Sequence, residues 1–343
     1  MARIIAVGTS IPEFVATNDY VVSLAIELSR RSYSGALDEL EHSIRSFLKN
    51  AGSKQRRWRS GFSKPSEHIF DAWHNCLAQV EVGTLAKIGT LVYCGIDRGF
   101  AEPSHASVLA QKFRLNEVRT FDVSDACMGW VTAMQTACSF ATVDKPYTAI
   151  ISAEFPLEMP GRVYPGAFTI KNHEDFLWKG AALTLGEAAS VTIVESTTPV
   201  CSVFKSNSRL ADVCCVPLIK AERFLDSARL LPRLIDECFV AHIPTMTSGS
   251  YRDAQDVLVK YIRDNGAPEI VLPHTVSQTG PTRAAKNILA EGVICNCFEL
   301  FGNISTSSIP VGYEYFDCGT DSVTHVVGWV SAAGMSHCVF RLS

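Results

Sequence analysis

The chain has 343 residues, with 31 Lys and Arg against 35 Asp and Glu and a formal net charge of -4. This balance, without long basic runs, argues against nucleic acid as the main partner, because neutralising phosphates needs clustered cations. No stretch reaches the roughly 18 uninterrupted apolar residues of a membrane span. Hydrophobic residues make up 47% of the chain, enough for a large core, and the length predicts two lobes rather than one simple core.

The chain runs from Arg3 straight into a strand-like segment rather than the apolar block of a signal peptide. The twelve cysteines are scattered through apolar segments, with no Cys-x-x-Cys pair. Cys214-Cys215 and Cys295-Asn296-Cys297 have the spacing of neither a zinc knuckle nor an iron-sulfur loop, so no metal site is expected. The expectation is a cytoplasmic protein in which eleven thiols are buried and inert.

In chain order, Arg3 to Thr9 reads as a strand turning at Gly8 and Pro12. Asn18 caps a helix whose Val21, Val22, Ala25 and Leu28 share one face. Strands are predicted at Thr90 to Ile96, Arg119 to Val123, Tyr147 to Ala153, Ala188 to Val194, Val200 to Ser206, Glu269 to Pro273, Cys295 to Leu300, Val323 to Val330 and His337 to Leu342. Between them, helices are predicted at Ser66 to Val80, Ser104 to Phe113, Cys127 to Val143, Ala221 to Ala241, Tyr251 to Asn265, Thr279 to Ala290 and Ser305 to Phe316. Such alternation predicts an α/β protein with covered sheets. Pro156 to Gly180, rich in Pro, Gly and aromatics without a period, reads as a structured loop over a site, and Ile243 to Ser250 as a second loop. A break at Ser196-Thr197-Thr198-Pro199 separates two parts of similar order.

Three constellations carry chemistry. In Thr120-Phe121-Asp122-Val123-Ser124-Asp125-Ala126-Cys127-Met128-Gly129-Trp130, a strand and a small-residue turn place a cysteine at the start of an apolar helix. Unpaired N–H groups and the positive helix end there favour a thiolate, the form that acts as nucleophile; packing is the plainer reading of such a cysteine taken alone. In Glu269-Ile270-Val271-Leu272-Pro273-His274-Thr275, a strand ends on a histidine placed to act as a base. In Leu300-Phe301-Gly302-Asn303-Ile304-Ser305-Thr306-Ser307-Ser308-Ile309-Pro310, Gly302 permits a turn and Asn303 offers an amide.

Together, in order and spacing, these motifs resemble the ketoacyl-acyl-carrier-protein synthase III branch of the thiolase superfamily, the condensing enzymes. Ile4 to Pro12, Leu185-Gly186-Glu187-Ala188-Ala189-Ser190 and Val330 to Leu342 extend the resemblance over nearly the whole chain. It implies a five-layered αβαβα fold of two pseudo-duplicated halves, residues 1–196 carrying the nucleophile and 197–343 carrying His and Asn, usually as a homodimer. It also implies that Cys127 takes an acyl group from a coenzyme A or acyl-carrier-protein thioester, with no tightly bound cofactor. His274 and Asn303 would then stabilise the enolate of a second substrate. The backbone N–H groups of Cys127 and Ala333 would form the oxyanion hole, Ala333 lying in Ser331-Ala332-Ala333-Gly334-Met335-Ser336 where relatives carry more glycines.

Two departures bear on substrate. The segment Asn50 to Arg59 resembles the family's basic cofactor-binding segment, which implies Arg56, Arg57 and Trp58 as coenzyme A or carrier contacts. Ser46 and Asn50 replace the usual tryptophan and arginine, which turns the reading away from an acetyl-primed fatty-acid enzyme; a solvated basic loop is the plainer alternative. Gly99-Phe100-Ala101-Glu102-Pro103-Ser104 resembles the branch that condenses two acyl chains head to head without decarboxylation, which implies Glu102 as the base at the acyl α-carbon. The plainer role for Glu102 is an acid at a helix N-terminus. The expected activity is Claisen carbon-carbon bond formation in specialised-metabolite or lipid biosynthesis. The alternatives are transfer of the acyl group from Cys127 to an alcohol or amine, and an inactive subunit of a heterodimer.

Overall fold

The computed structural model describes residues 2–61, 63–99, 101–157, 164–196, 200–218, 220–224, 227–236, 238–320 and 322–342. The first half opens with β1 (Ala2–Ser10), β2 (Phe14–Thr17), α1 (Asn18–Ser29), α2 (Leu37–Ala51), β3 (Gln55–Trp58) and α3 (Pro65–Leu77). It continues with β4 (Ile88–Tyr93), α4 (His105–Lys112), β5 (Arg119–Asp122), α5 (Gly129–Ala137), β6 (Tyr147–Glu154), α6 (His173–Lys179) and β7 (Ala188–Ser196). The second half has β8 (Ser202–Ser206), β9 (Cys214–Cys215), β10 (Val240–Ala241), α7 (Ile243–Asn265), β11 (Ile270–Pro273) and α8 (Thr279–Ala285). It ends with α9 (Phe298–Phe301), α10 (Ser308–Tyr315), β12 (Val326–Ala332) and β13 (Ser336–Leu342).

Strands with apolar residues at nearly every position lie in two sheets, each covered on both faces. The first runs β1-β7-β6-β4-β5 and the second β8-β13-β12-β11. Their pairing directions match. β1 is antiparallel to β7, β7 antiparallel to β6, and β6 and β5 both parallel to β4. Likewise β8 is antiparallel to β13, β13 antiparallel to β12, and β12 parallel to β11. A single parallel bridge from Val271 to Ile294 stands where β5 pairs in the first sheet.

The core confirms five layers. Residues Ile69, Trp73, Leu109 and Ala110 of α3 and α4 pack on Leu91, Ile151 and Val191 of the first sheet. On the second sheet, Ala254, Leu258 and Ala284 of α7 and α8 pack on Val271, Val327 and Val339. Between the sheets lie α5 and α10, with Trp130, Met134 and Ile309 touching Val92 and Ile150 on one side and Val330 and Phe340 on the other. Each half therefore repeats one order of strands and helices, and α5 and α10 are equivalent central helices.

Several local expectations change. Ile243 to Ser250 is the start of α7 rather than a loop, because Pro244 in the first turn costs the helix no hydrogen bond. The helix predicted over 221–241 is instead 3₁₀ turns at Ala221–Arg223 and Leu231–Asp236 followed by β10. Cys295 to Leu300 is not a strand; the chain leaves the sheet after Ile294 and enters α9. In the predicted loop Pro156 to Gly180, residues 158–163 lie outside the described residues, as do 197–199 at the predicted break. The described remainder of that loop holds α6, capped by the Asn172 side chain. It contributes Phe168, Ile170 and Phe176 to a core with α1 and α2.

A seam between the halves positions the site. Leu185 and Asn303 form a parallel bridge, in which the Gly186 N–H donates to Asn303 O (2.9 Å) and the Asn303 N–H to Thr184 O (2.8 Å). A Cβ on Gly186 would lie 1.9 Å from Phe301 O, so only glycine lets these backbones approach. Gly186→Ala is expected to destabilise the protein by on the order of 3 kcal/mol. Urea unfolding measures this, and an unchanged midpoint would contradict the close approach.

Candidate active site

Cys127 lies in a 3₁₀ turn, Ala126–Met128, that feeds directly into α5. Ala126 is held at φ 45°, a left-handed conformation uncommon for a residue with a Cβ and frequent where a reactive group is aimed. A Cβ on Gly129 would lie 2.7 Å from Cys94 O, so glycine lets the start of α5 lie against the end of β4. In the equivalent place before α10, Asn303 follows Gly302 (φ 76°), and Ser305 is left-handed at φ 47°. His274 extends from the end of β11 and is 4% exposed.

The hydrogen bonds define the charge state of His274. Nδ1 lies 2.7 Å from Ser331 O, a carbonyl that only accepts. Nε2 lies 3.1 Å from Asn303 Oδ1, and that atom is identified as oxygen because it accepts the Ser305 N–H at 3.0 Å. Both ring nitrogens face acceptors, an arrangement that favours the imidazolium. Burial pushes the His274 pKa down, but the Cys127 charge and the hydrogen bonds to Cys127, Ser331 and Asn303 outweigh it and hold it above the ordinary value.

The thiol moves the opposite way. Burial pushes it up; the His274 charge and hydrogen bond, the Ser305 hydroxyl and the Ala333 N–H together bring it below its ordinary range. The Ser305 hydroxyl donates to Sγ at 3.4 Å. The arrangement shifts the thiol toward thiolate and the imidazole toward imidazolium, with two further donors, and is suited to attack on an acyl carbonyl. Eight other cysteines, Cys76, Cys94, Cys214, Cys215, Cys295, Cys297, Cys318 and Cys338, are instead pushed up by burial. None of the twelve is in a disulfide, and Cys201 is exposed rather than buried as expected.

The structure thus brings Cys127, His274, Asn303 and the Ala333 N–H together. In the turn between β12 and β13, Gly334 and Met335 are left-handed (φ 80° and 53°). Gly334 keeps its glycine there, and Ala333 is not among the left-handed residues, so alanine presents the N–H without strain. Ser305 was not singled out by sequence, although it lies two residues after Asn303 in the same motif.

The basic segment is a correction. Arg56 is fully buried in β3, donating to Ala16 O, Asn18 Oδ1 and Ser53 Oγ (3.1 Å each). Burial lowers its pKa to about 10. Trp58 is 4% exposed and donates from Nε1 to Leu185 O at 2.8 Å. Both are scaffold beneath the seam rather than ligand contacts, because alternation in β3 turns them inward. Arg57, on the other face of β3, reaches Glu13 O at 3.2 Å.

Glu102 is exposed on the turn before α4 and is not part of the Cys127 cluster within this chain. It does not serve the helix end either. Asp122 takes the N–H groups of His105 and Ala106 (2.7 and 3.0 Å), and Ser104 caps the helix. Among the described residues no cluster of His, Cys, Asp and Glu could hold a metal, and no helix is long and apolar enough to cross a membrane.

Replacing His274 by alanine removes the cation and leaves the burial. The midpoint of Cys127 alkylation against pH is therefore expected to rise above the ordinary thiol value; iodoacetamide kinetics followed by peptide mass spectrometry measure it, and an unmoved midpoint would contradict the pair.

No protein-family model matches the chain. An acyl-CoA:acyl-CoA alkyltransferase of Xanthomonas campestris pv. campestris is 29% identical over 153 residues, 42% of this chain and 43% of that protein. The matched stretch therefore spans less than half of the curated relative. Among solved structures, a glutamate-to-alanine variant of Xanthomonas campestris OleA matches with TM-score 0.79 and 17% identity, over 99% of this chain and 97% of that one. A cysteine-to-serine variant of OleA with bound lauric acid and lauroyl-CoA matches with TM-score 0.78 and 17% identity, over 99% and 98%. The 3-oxoacyl-(acyl carrier protein) synthase III, FabH, of Xanthomonas oryzae pv. oryzae matches with TM-score 0.77 and 17% identity, over 99% and 98%. Over its whole length, the chain has the thiolase fold that OleA and FabH share.

Proposed function

We propose that the protein is a thioester-dependent condensing enzyme that forms a carbon-carbon bond by Claisen chemistry through an acyl-Cys127 intermediate, in lipid or specialised-metabolite biosynthesis. The observation that carries this is the Cys127-His274 pair with Asn303 at its side, Cys127 and Asn303 lying ahead of the two central helices and His274 at the end of β11. The thiolate attacks the carbonyl of an acyl-coenzyme A or acyl-carrier-protein thioester. The N–H groups of Cys127 and Ala333 hold the tetrahedral oxyanion. Collapse expels the donor thiolate, which takes the proton of the His274 imidazolium, leaving the acyl group on Cys127.

For the second half-reaction, Asn303 keeps Oδ1 toward His274 and Ser305, which leaves its Nδ2 to donate to an enolate oxygen. Glu102 lacks a structural task at the end of α4 and stands exposed, which supports a role completed by a second copy of the chain in a homodimer. There its carboxylate takes the α-proton of an acyl chain. The enolate carbon then attacks the other acyl thioester, forming the new bond and expelling its thiolate. The curated alkyltransferase relative acts on two acyl-CoA molecules by name, which supports acyl-CoA as the thioester, and an OleA relative holds lauroyl-CoA, which supports a medium or long acyl chain over acetyl. The repeated order of strands and helices supports residues 1–196 and 197–343 as the two halves.

Intact-mass spectrometry with a panel of acyl-coenzyme A thioesters is expected to show one acyl group on Cys127 and none on Cys127→Ala, followed by release of a β-keto product. Glu102→Gln is expected to acylate normally and to lose condensation by about 10²-fold or more. Acyl-Cys127 that is discharged only by an alcohol or amine would overturn the condensing reading in favour of the simple acyltransferase.

A further inference from the structure

Behind Cys127 lies a buried acid that the proposed chemistry does not use. Glu154, the last residue of β6, is 4% exposed. Its Oε1 accepts the Ile96 N–H at 3.2 Å and the hydroxyl of Thr306. Thr306 Oγ1 lies 2.5 Å from Ser152 Oγ, which is 2.7 Å from Ser307 Oγ. Because Thr306 donates to the acid, its oxygen is left to accept from Ser152, while Ser307 lies within reach of both Ser152 Oγ and Ala188 O. The row of hydroxyls thus ends on Glu154.

Thr306 and Ser305 are consecutive residues of one 3₁₀ turn, Ser305–Ser307, with Asn303 two residues before it. The side of the turn facing β6 is tied to Glu154, and the other side carries the hydroxyl that donates to Cys127 Sγ and the N–H that fixes Asn303 Oδ1. The titratable groups coupled to Glu154 are Cys127 ahead of α5 and Cys94 after β4; Asp97 takes the N–H of the next residue, Phe155, at 2.5 Å. Among the described residues no Lys or Arg pairs with Glu154; Arg98, near Cys94, bonds to Gly95 O and Val123 O instead. A carboxylate here would therefore stand buried beside a thiolate with no cation of its own, and like charges in one buried site disfavour each other.

We propose that Glu154 is a positioning residue that works as the neutral acid, holding the Ser305–Ser307 turn against Cys127 while withholding a second negative charge from the thiolate. This rests on Cys127 as the nucleophile. Burial pushes the Glu154 pKa up to about 8, with the Cys127 charge adding to the rise and the bonds from Thr306 and Ile96 opposing it. The acid is thus largely neutral at pH 7. As pH rises through that value the carboxylate forms, makes the thiolate more basic and couples the two titrations.

The test is Cys127 alkylation by iodoacetamide against pH, read by peptide mass spectrometry on the full chain. In the wild type, the profile is expected to carry an ionisation near pH 8 beyond those of Cys127 and His274. Its rate should rise about threefold for each unit by which the carboxylate raises the thiol pKa. Glu154→Gln, neutral at every pH and still an acceptor for Thr306, is expected to match the wild type within about twofold at pH 6.5 and to lack only the ionisation near pH 8. Glu154→Ala, which frees the turn, is expected to fall at least tenfold below both. Superimposable wild-type and Glu154→Gln profiles, or Glu154→Gln as slow as Glu154→Ala at pH 6.5, would overturn the proposal. If a variant fails to fold, a wild-type profile fitted by the Cys127 and His274 ionisations alone overturns it. Absence of preferential alkylation at Cys127 in the wild type would instead remove the nucleophile on which both readings stand.

Discussion

The imidazolium of His274, fixed between two oxygens, is the constraint on which the rest of the site depends. A buried thiol by itself is a poor nucleophile because burial favours its neutral form, as the raised pKa values of Cys76, Cys297 and Cys338 show. At Cys127 a cation offsets that penalty, and the cation persists because Ser331 O and Asn303 Oδ1 can only accept. Ser331 belongs to β12, whose register with β11 also sets the position of His274. Asn303 is set by the seam with Leu185 and Gly186. The second sheet and the seam with the first half thus converge on one ring.

Duplication gives this convergence an economical basis. Cys127 and Asn303 precede the equivalent central helices α5 and α10, each approached through a left-handed non-glycine residue or glycine that turns the chain sharply into the middle layer. The two helices lie side by side between the sheets, so their starting residues meet. Cys127 comes from one half, and His274 and Asn303 come from the other.

Much of this was legible in the sequence, for identifiable reasons. Cys127, His274 and Asn303 stand in short runs of small residues and turn formers whose spacing is dictated locally. Strand-helix alternation likewise predicted the α/β layers. Arg56 and Trp58 misled because a four-residue strand alternates inward and outward, and a basic run reads as surface until its register is known. The 221–241 region misled because apolar residues at helical spacing surround Pro232, and tertiary contacts resolved it into 3₁₀ turns. Ser305 lay within a motif already noted but needed its left-handed φ to show where its hydroxyl points. Glu154 was not legible at all: its partner Thr306 is 152 residues away, and only the folded chain places them together.

The most direct measurement is the ¹⁵N NMR signature of the His274 ring in the wild type and in Cys127→Ala. At pH 7 both ring nitrogens of the wild type should show the protonated imidazolium pattern, and loss of the thiolate should let the ring become neutral at lower pH. A ring that is already neutral at pH 7 in the wild type, or that titrates identically in the two proteins, would contradict the thiolate-imidazolium pair.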